Sequence, residues 1–364
     1  MLPYFIMVGV PTFLSICLSQ IKIEKSKADR IVTDVFFAIW FLLLLLRSIH
    51  VGSDMLNYKL QFRVYSSFSW ERLFRGILDG ELEAGYVLIS KAVHLFTRSF
   101  RVMLAVCTVI SVAPIWWLYR KEGKMGALLI VMFLNVAPFT MYFSGLRQAM
   151  AMAFVLPCFK YCKENSFWKF LFVVFVAYLF HGSALILLLL YPIYHVDLRK
   201  QFYILFFIPV FFVIFVNNEA IFRFLILFTG KYADEYVDGI KQTGAISVTL
   251  LLLALLIYCF IIPDVKKLDK EFVGLRNVLM LSSILQIFSG VHTIAMRFNY
   301  YFLLLVPLLI VKSISVSDKK YHQITQLSLI CMYVFFAVFY FYHAYTSPDI
   351  LNVYPYQFLF SDYR

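Results

Sequence analysis

Apolar runs of about twenty residues recur along this chain, and a run of that length matches the ~30 Å hydrocarbon core of a bilayer at 1.5 Å per helical residue. The clearest cover residues 3–19, 32–49, 101–119, 125–143, 146–162, 167–181, 183–195, 201–217, 245–263, 275–291, 294–312 and 325–343. Backbone polar groups in lipid must be satisfied internally, which leaves helices or a closed barrel. Barrel strands would alternate over about ten residues, and these runs do not alternate. The chain therefore reads as an all-α polytopic integral membrane protein with about 12 transmembrane helices (11–13), residues 1–364 forming a single transmembrane domain. Composition agrees: 62% of residues are hydrophobic, with 40 Phe and 24 Tyr, more bulky apolar surface than a soluble core can hide. Soluble enzymes, disulfide scaffolds, coiled coils and disordered tails are excluded.

Lys and Arg set the orientation. They crowd into short tethers at 21–30, 119–124, 160–169, 197–200, 263–271 and 311–320, which the positive-inside rule puts on the cytoplasmic side. The formal charge of +12 is thereby explained without nucleic acid as a partner. The first run starts at Met1 without a basic leader region, so it is expected to stay as a span rather than be cleaved. With the N-terminus outside, twelve crossings return the C-terminus outside as well. External segments are then 47–82, 218–244 and the tail 344–364. The stretch 83–97 carries Glu83, Lys91 and His94 among apolar residues and reads as an interfacial or re-entrant helix. His181-Gly182-Ser183 marks a turn between two short helices. Loop 218–244 is expected to hold a short amphipathic helix and then an acidic segment with Tyr232, Asp234, Glu235, Tyr236 and Asp238, read either as solvated or as a lid over glycan. All six cysteines lie in apolar runs and are read as packing residues, so neither disulfides nor a metal site is expected.

A charged side chain at membrane depth costs about 2.5–3.5 kcal/mol on insertion scales, so each one demands a reason. Arg147-Gln148 is the first case, Arg147 being the only charge between Lys124 and Lys160. It either snorkels to the interface or binds a diphosphate or carboxylate with its planar fork. His181 either caps a helix or donates to a phosphate or sugar hydroxyl. His292, Arg297 and Asn299, followed by Tyr300 and Tyr301, form a polar group at the start of a span, expected to face a cavity. Arg47, Asp54 and Tyr58 follow the second span, with Asp54 and Tyr58 spaced for one helix face. Glu83 opens the interfacial helix, where a carboxylate also suits the helix dipole.

Five ordered stretches resemble the EpsG-type branch of the Wzy-type bacterial polysaccharide polymerases. They are Arg47…Gly52-Ser53-Asp54…Tyr58, Glu83-Ala84-Gly85-Tyr86, Ser144-Gly145-Leu146-Arg147-Gln148-Ala149, Phe180-His181-Gly182-Ser183-Ala184 and Arg297-Phe298-Asn299-Tyr300-Tyr301. Tyr354-Pro355-Tyr356 also fits the family's ending, whereas Met55 stands where an aromatic residue is expected. The resemblance implies a glycosyltransferase-C-like fold with an outward-facing cavity. It implies a glycosyltransferase that joins undecaprenyl-diphosphate-linked repeat units into O-antigen, capsule or exopolysaccharide at the outer face of the bacterial inner membrane. Catalytic candidates are then Asp54, Glu83 and His181. Candidates for binding diphosphate or glycan are Arg47, Tyr58, Arg147, Gln148, His292, Arg297, Tyr300 and Tyr301. No cofactor or metal is expected; membrane lipid, a chain-length regulator and a flippase are the expected partners.

Three other classes compete. A flippase or other transporter would show internal repeats and helices broken at the midplane, and no internal repeat is evident. An O-acyltransferase would have only His181 as an anchor, on the wrong side for a cytoplasmic acyl donor. A ligase-like transferase that hands glycan to a different acceptor fits the same residues.

Overall fold

In a computed structural model, residues 2–122, 126–136, 138–200, 202–226, 246–317, 322–346 and 351–360 are described. The chain is 81% helical and holds no strand among the described residues. Each of the twelve apolar runs is occupied by helix, whole or interrupted. Among the described residues, five stretches are long and apolar enough to cross a bilayer unaided: Leu2–Ser19, Phe100–Lys121, Lys270–Ser289, Ala295–Ser315 and Gln323–Thr346. A pair bent by 78°, Tyr203–Val216 with Asn218–Leu225, makes a sixth if it is one span, and four further apolar helices are shorter. Length and apolarity thus support five or six spans, where run-counting gave about twelve. The difference arises because several runs are divided into short helices.

The described chain falls into two compact units. The first comprises Met1–Tyr161, Ser166–Leu185 and Leu329–Arg364. Its helices are α1 (Leu2–Ser19), α2 (Lys25–Leu46), α3 (Met55–Ser67), α4 (Trp70–Leu78), α5 (Ala84–His94), α6 (Phe100–Glu122), α7 (Gly126–Val136), α8 (Met141–Ser144), α9 (Leu146–Met152), α10 (Val155–Lys163) and α11 (Phe167–Phe180). Without a hydrophobic force between helices in lipid, packing decides which surfaces meet. Here Phe36, Phe37 and Trp40 of α2 lock edge to face with Phe133 of α7 and Tyr119 of α6. A second cluster joins Met55, Tyr58 and Phe62 of α3, Tyr86 of α5, Met103 and Cys107 of α6 and Met150 of α9. It forms the floor on which the motif residues stand.

The loop 47–82, expected as an external segment, is mostly the helix pair α3 and α4. Ser69 caps α4 by accepting from the Arg72 amide, and Lys91 of α5 donates to the carbonyls of Ser66 (2.9 Å) and Phe68 (2.6 Å) at the end of α3. That bond ties the interfacial helix to the loop. The eleven residues of α5 rise about 17 Å at 1.5 Å each, well short of a ~30 Å hydrocarbon core.

The C-terminal tail straps this loop from the other side. Ser48, Gly52 and Ser53 donate backbone hydrogen bonds to the carbonyls of Gln357, Asn352 and Leu351 at 2.9, 3.0 and 2.8 Å. Tyr356 reaches the Leu43 carbonyl at 2.7 Å, and Tyr4 of α1 donates to Val353. Gly52 has φ +102°, and a Cβ there would lie 2.0 Å from the Phe143 carbonyl oxygen, so only glycine fits between the strap and α8.

The second unit comprises Cys162–Asn165 and Ile186–Ser328. It contains α12 (Leu190–His195), α13 (Tyr203–Val216), α14 (Asn218–Ile226), α15 (Ile246–Ile261), α16 (Lys270–Ser289), α17 (Thr293–Leu303), α18 (Val306–Ser315) and the start of α19 (His322–Thr346). The helix α16 is central and buries an unusual polar stripe. Asn277 satisfies the Ile193 and Val196 carbonyls, and Asn299 of α17 bonds Ser282 and Gln286 at 2.7–3.0 Å. These amide donors find their acceptors inside protein, as lipid requires.

The basic tethers gather within each unit. Lys163, Glu271, Lys312 and Asp269 form one network in the second. In the first, Arg120 pairs with Asp34 at 2.9 Å and Asp29 accepts from the Gly126 amide. Conversely, α1 and α19 show large apolar residues outward, among them Phe13, Ile16, Leu327, Ile330 and Val338, a surface a bilayer covers. The amphipathic helix expected after residue 218 is α14, whereas the acidic segment from Tyr232 to Asp238 lies outside the described residues.

Candidate active site

Four of the five motif stretches meet in the first unit. Glu83 sits at the N-terminal edge of α5, and its carboxylate joins two other motifs. Its Oε1 lies 2.6 Å from His181 Nδ1 and accepts from the Gly182 amide at 3.3 Å. Its Oε2 is 3.1 Å from Arg147 Nη1. The three side chains are partly open, at 24%, 21% and 30% exposure, so the cluster is reachable without being solvated on all sides.

Local structure explains why these residues converge. Gly145 breaks the chain between α8 and α9, so Arg147 stands in the first turn of α9. His181 closes α11 in an extended conformation, which turns its ring away from the helix it ends. Gly85 lets α5 close on α11: its Cα lies so near Phe180 that a Cβ would be 2.7 Å from the ring. Glu83, two residues before Gly85, and His181, one after Phe180, are brought together by that contact.

The first motif supplies the opposite wall. The Arg147 guanidinium lies 5.7 Å from the centre of the Tyr58 ring, within cation–π range. Burial pushes the Tyr58 phenol up, with Arg147 opposing and Asp54 reinforcing that shift. Asp54, one turn before Tyr58, takes a hydrogen bond from Ser144 Oγ at 3.2 Å, while its own amide donates back to that hydroxyl at 3.3 Å. The Ser144-Gly145 break therefore fixes Asp54 as well as Arg147. Gln148 is buried in α9 beside Arg147.

Arg47 is placed differently from the others. It is 1% exposed, donating to the Tyr142 carbonyl at 3.1 Å and to Met55 Sδ at 3.0 Å, with its guanidinium 5.5 Å from the Phe143 ring. It anchors α8 rather than opening to a ligand. The departure at Met55 acquires a reason here, because its sulfur accepts from Arg47 Nη2.

The fifth stretch belongs to the second unit. Asn299 points into the α16–α17 network, His292 stacks on Phe222 at 5.8 Å, and Arg297 stands at an exposed position of α17. Tyr300 and Tyr301 are buried.

Sequence reasoning missed three contributors: Gly85 as the close contact, Ser144 as the partner of Asp54, and Tyr65. The last is on the same face of α3 as Tyr58, and its burial-raised phenol feels both Arg147 and Glu83. Seven-residue spacing after Tyr58 was the available signal for Tyr65.

Chemically, the cluster offers a carboxylate engaged on both oxygens, an imidazole held through Nδ1, and a cation over an aromatic face. A neutral imidazole that donates from Nδ1 keeps Nε2 as an acceptor.

An all-helical membrane-embedded chain with this cluster at the junction of α3, α5, α9 and α11 is a polytopic protein with a polar site of acid–base and cationic groups. A model of the EpsG family matches residues 30–358, and the chain belongs to that family, the EpsG/Wzy-type polysaccharide polymerases. No curated protein and no solved structure matches it. The family makes it a polysaccharide polymerase-like membrane protein of glycosyltransferase type.

Proposed function

We propose that this protein joins oligosaccharide repeat units carried on undecaprenyl diphosphate into surface polysaccharide, at the outer face of the bacterial inner membrane. The observation that carries the reading is the Glu83–His181–Arg147 cluster, drawn from three separate family motifs. In the reaction, a hydroxyl of the acceptor glycan attacks the anomeric carbon of the donor. The bond from that carbon to the diphosphate oxygen breaks, and the electron pair leaves on the diphosphate. His181 Nε2 takes the hydroxyl proton, with Glu83 fixing the tautomer and ring direction, the ordinary work of an oriented general base. Arg147 stabilises the departing diphosphate, for which a planar five-donor fork is well suited. Asp54, held on Ser144, positions the acceptor hydroxyl. Sidedness supports the reading: the strap holds the tail against the loop carrying Asp54, as a topology with both on the outer face needs.

Deleting the gene in its host and resolving the surface glycan by gel tests this directly. Single repeat units reaching the cell surface, with a ladder restored by the wild-type gene, are the expected result. Repeat units retained behind the membrane would identify a flippase instead. Full-length polymer that fails only to reach its final acceptor would identify a ligase-like transferase.

A further inference from the structure

A second depression in the first unit stands apart from the Glu83–His181–Arg147 cluster. It is an open pocket of about 690 Å³ formed by the end of α3, the polar face of α4 and the turn at 79–82. That volume lies within the ~300–1,000 Å³ of small-molecule sites. Tyr65 is on its wall and also packs against Tyr86, with ring centres 6.4 Å apart, and against the core holding Tyr58, so the pocket adjoins the wall of the cluster. Tyr65 follows Tyr58 by seven residues on α3, about 10 Å at 1.5 Å per residue, so a bound chain of sugars reaches from one to the other.

We propose that this pocket is the subsite for an uncharged part of the acceptor glycan; the proposal rests on the polymerase reading and adds where the acceptor lies and what charge it carries. The lining decides between ligand classes. Tyr65 offers an aromatic face, on which sugar rings stack through their C–H bonds, while Phe68 carries the Arg72 guanidinium over its ring. Around them stand two arginines, Arg72 and Arg75, against three carboxylates, Glu71, Asp79 and Glu81, leaving one formal negative charge. Neither arginine presents an unopposed charge, though each keeps N–H groups to donate: Arg75 pairs with Glu71, and the Arg72 guanidinium lies 3.8 Å from the Phe68 ring centre. A diphosphate or an acidic sugar would meet net repulsion there. Neutral hydroxyls instead find carboxylate acceptors and guanidinium donors on the same wall. The position fits a substrate tethered to lipid. On the other face of α4, Trp70, Phe74 and Leu78 are exposed at i, i+4 and i+8, an apolar stripe of the kind that lies in a membrane interface.

The test uses full-length protein in nanodiscs, with fragments of one to three repeat units cut from the host's own surface polysaccharide as the probe. The wild type is expected to bind these fragments with little loss from low to high salt, since an uncharged contact is unscreened. Asp79→Asn with Glu81→Gln, and separately Arg72→Ala, should each weaken binding about tenfold and raise the acceptor KM while leaving kcat near wild type. These positions are exposed, so the variants fold, and unchanged thermal unfolding checks it. No fragment binding, binding equal in wild type and variants, or steep weakening by salt would each overturn the subsite. The two readings fail separately. Fragments bound at this pocket by a protein that makes no polymer would remove the polymerase reading and keep the subsite. Normal polymer and an unchanged acceptor KM in the variants would do the reverse.

Discussion

Gly85→Ala adds a single methyl group, and the structure says where it goes. Three atoms of the Phe180 ring lie at 2.7, 2.7 and 2.9 Å from the new Cβ, against an ordinary contact of 3.4–4 Å. Relief requires the ring or the helix to yield by roughly 0.7 Å. In isolation the substitution favours α5, because Ala exceeds Gly in a helix by about 0.5–1 kcal/mol. Overpacking of a filled site costs about 1–3 kcal/mol and wins. The greater effect falls on the cluster, since Gly85 and Phe180 are the contact that sets Glu83 against His181. A misplacement near 1 Å costs about 10²-fold in a positioned reaction. Gly85→Ala should therefore lose most of its polymer while membrane levels fall only modestly, measured by surface-glycan gel alongside an immunoblot of the membranes. Gly85→Ala combined with Phe180→Leu, which removes the opposing ring, should recover a large part of the ladder. A normal ladder from the single variant, or no recovery in the double one, would refute the idea that this contact sets the geometry.

Other variants probe other parts of the argument. Arg147→Lys keeps the charge but loses the fork, and should cut polymer about tenfold or more at normal protein levels; a full ladder would take Arg147 out of the leaving-group role. Arg297→Lys applies the same measurement to the second unit. Asp269 caps α16 and pairs with Lys312; burial raises its carboxyl, but Lys312 and the Phe272 amide outweigh that, so the net shift is below the usual carboxylate range. A depressed native value means the stabilisation is present above the unfolded pKa of about 3.9 and is lost as pH falls through the native one. The gap in unfolding temperature between wild type and Asp269→Asn should hold from neutral pH to about 5 and close below about 4, and a gap that widens on acidification would contradict the assignment. Finally, cysteines introduced at positions 122 and 267 should resist an impermeant thiol reagent in intact cells; labelling of either would overturn the proposed sidedness.

Helix type, membrane class and family were legible because each rests on local chemistry: run length, Lys placement, and short motifs in order. The span count was not, since a run such as 146–162 shows nothing in its hydropathy of the break at Ala153-Phe154 that divides α9 from α10. Asp54, Glu83, Arg147 and His181 were readable as polar residues out of place, and the structure gathers all four. Arg47 satisfied the same criterion yet is an anchor. The sequence marks a costly charge without saying whether protein or ligand compensates it. In the His292–Arg297–Asn299 group, Asn299 bonds Ser282 and Gln286, partners the local sequence does not disclose. Lys91 capping α3 and Ser144 holding Asp54 depend on partners 23 and 90 residues away, which no local pattern discloses.

The strap formed by residues 351–358 bears on how such a protein is made. Its contacts close very long loops, Tyr4 and Val353 being 349 residues apart, and the loop bearing Asp54 is synthesised early. Contacts of such separation form late and slowly. The Asp54 loop thus waits in the membrane without its backbone partners until the last helix has been placed. A chain stopped before residue 351 would lack the three carbonyls to which the Ser48, Gly52 and Ser53 amides donate. The loop bearing Asp54 therefore takes its final backbone pairing only from the last segment of the chain to be made.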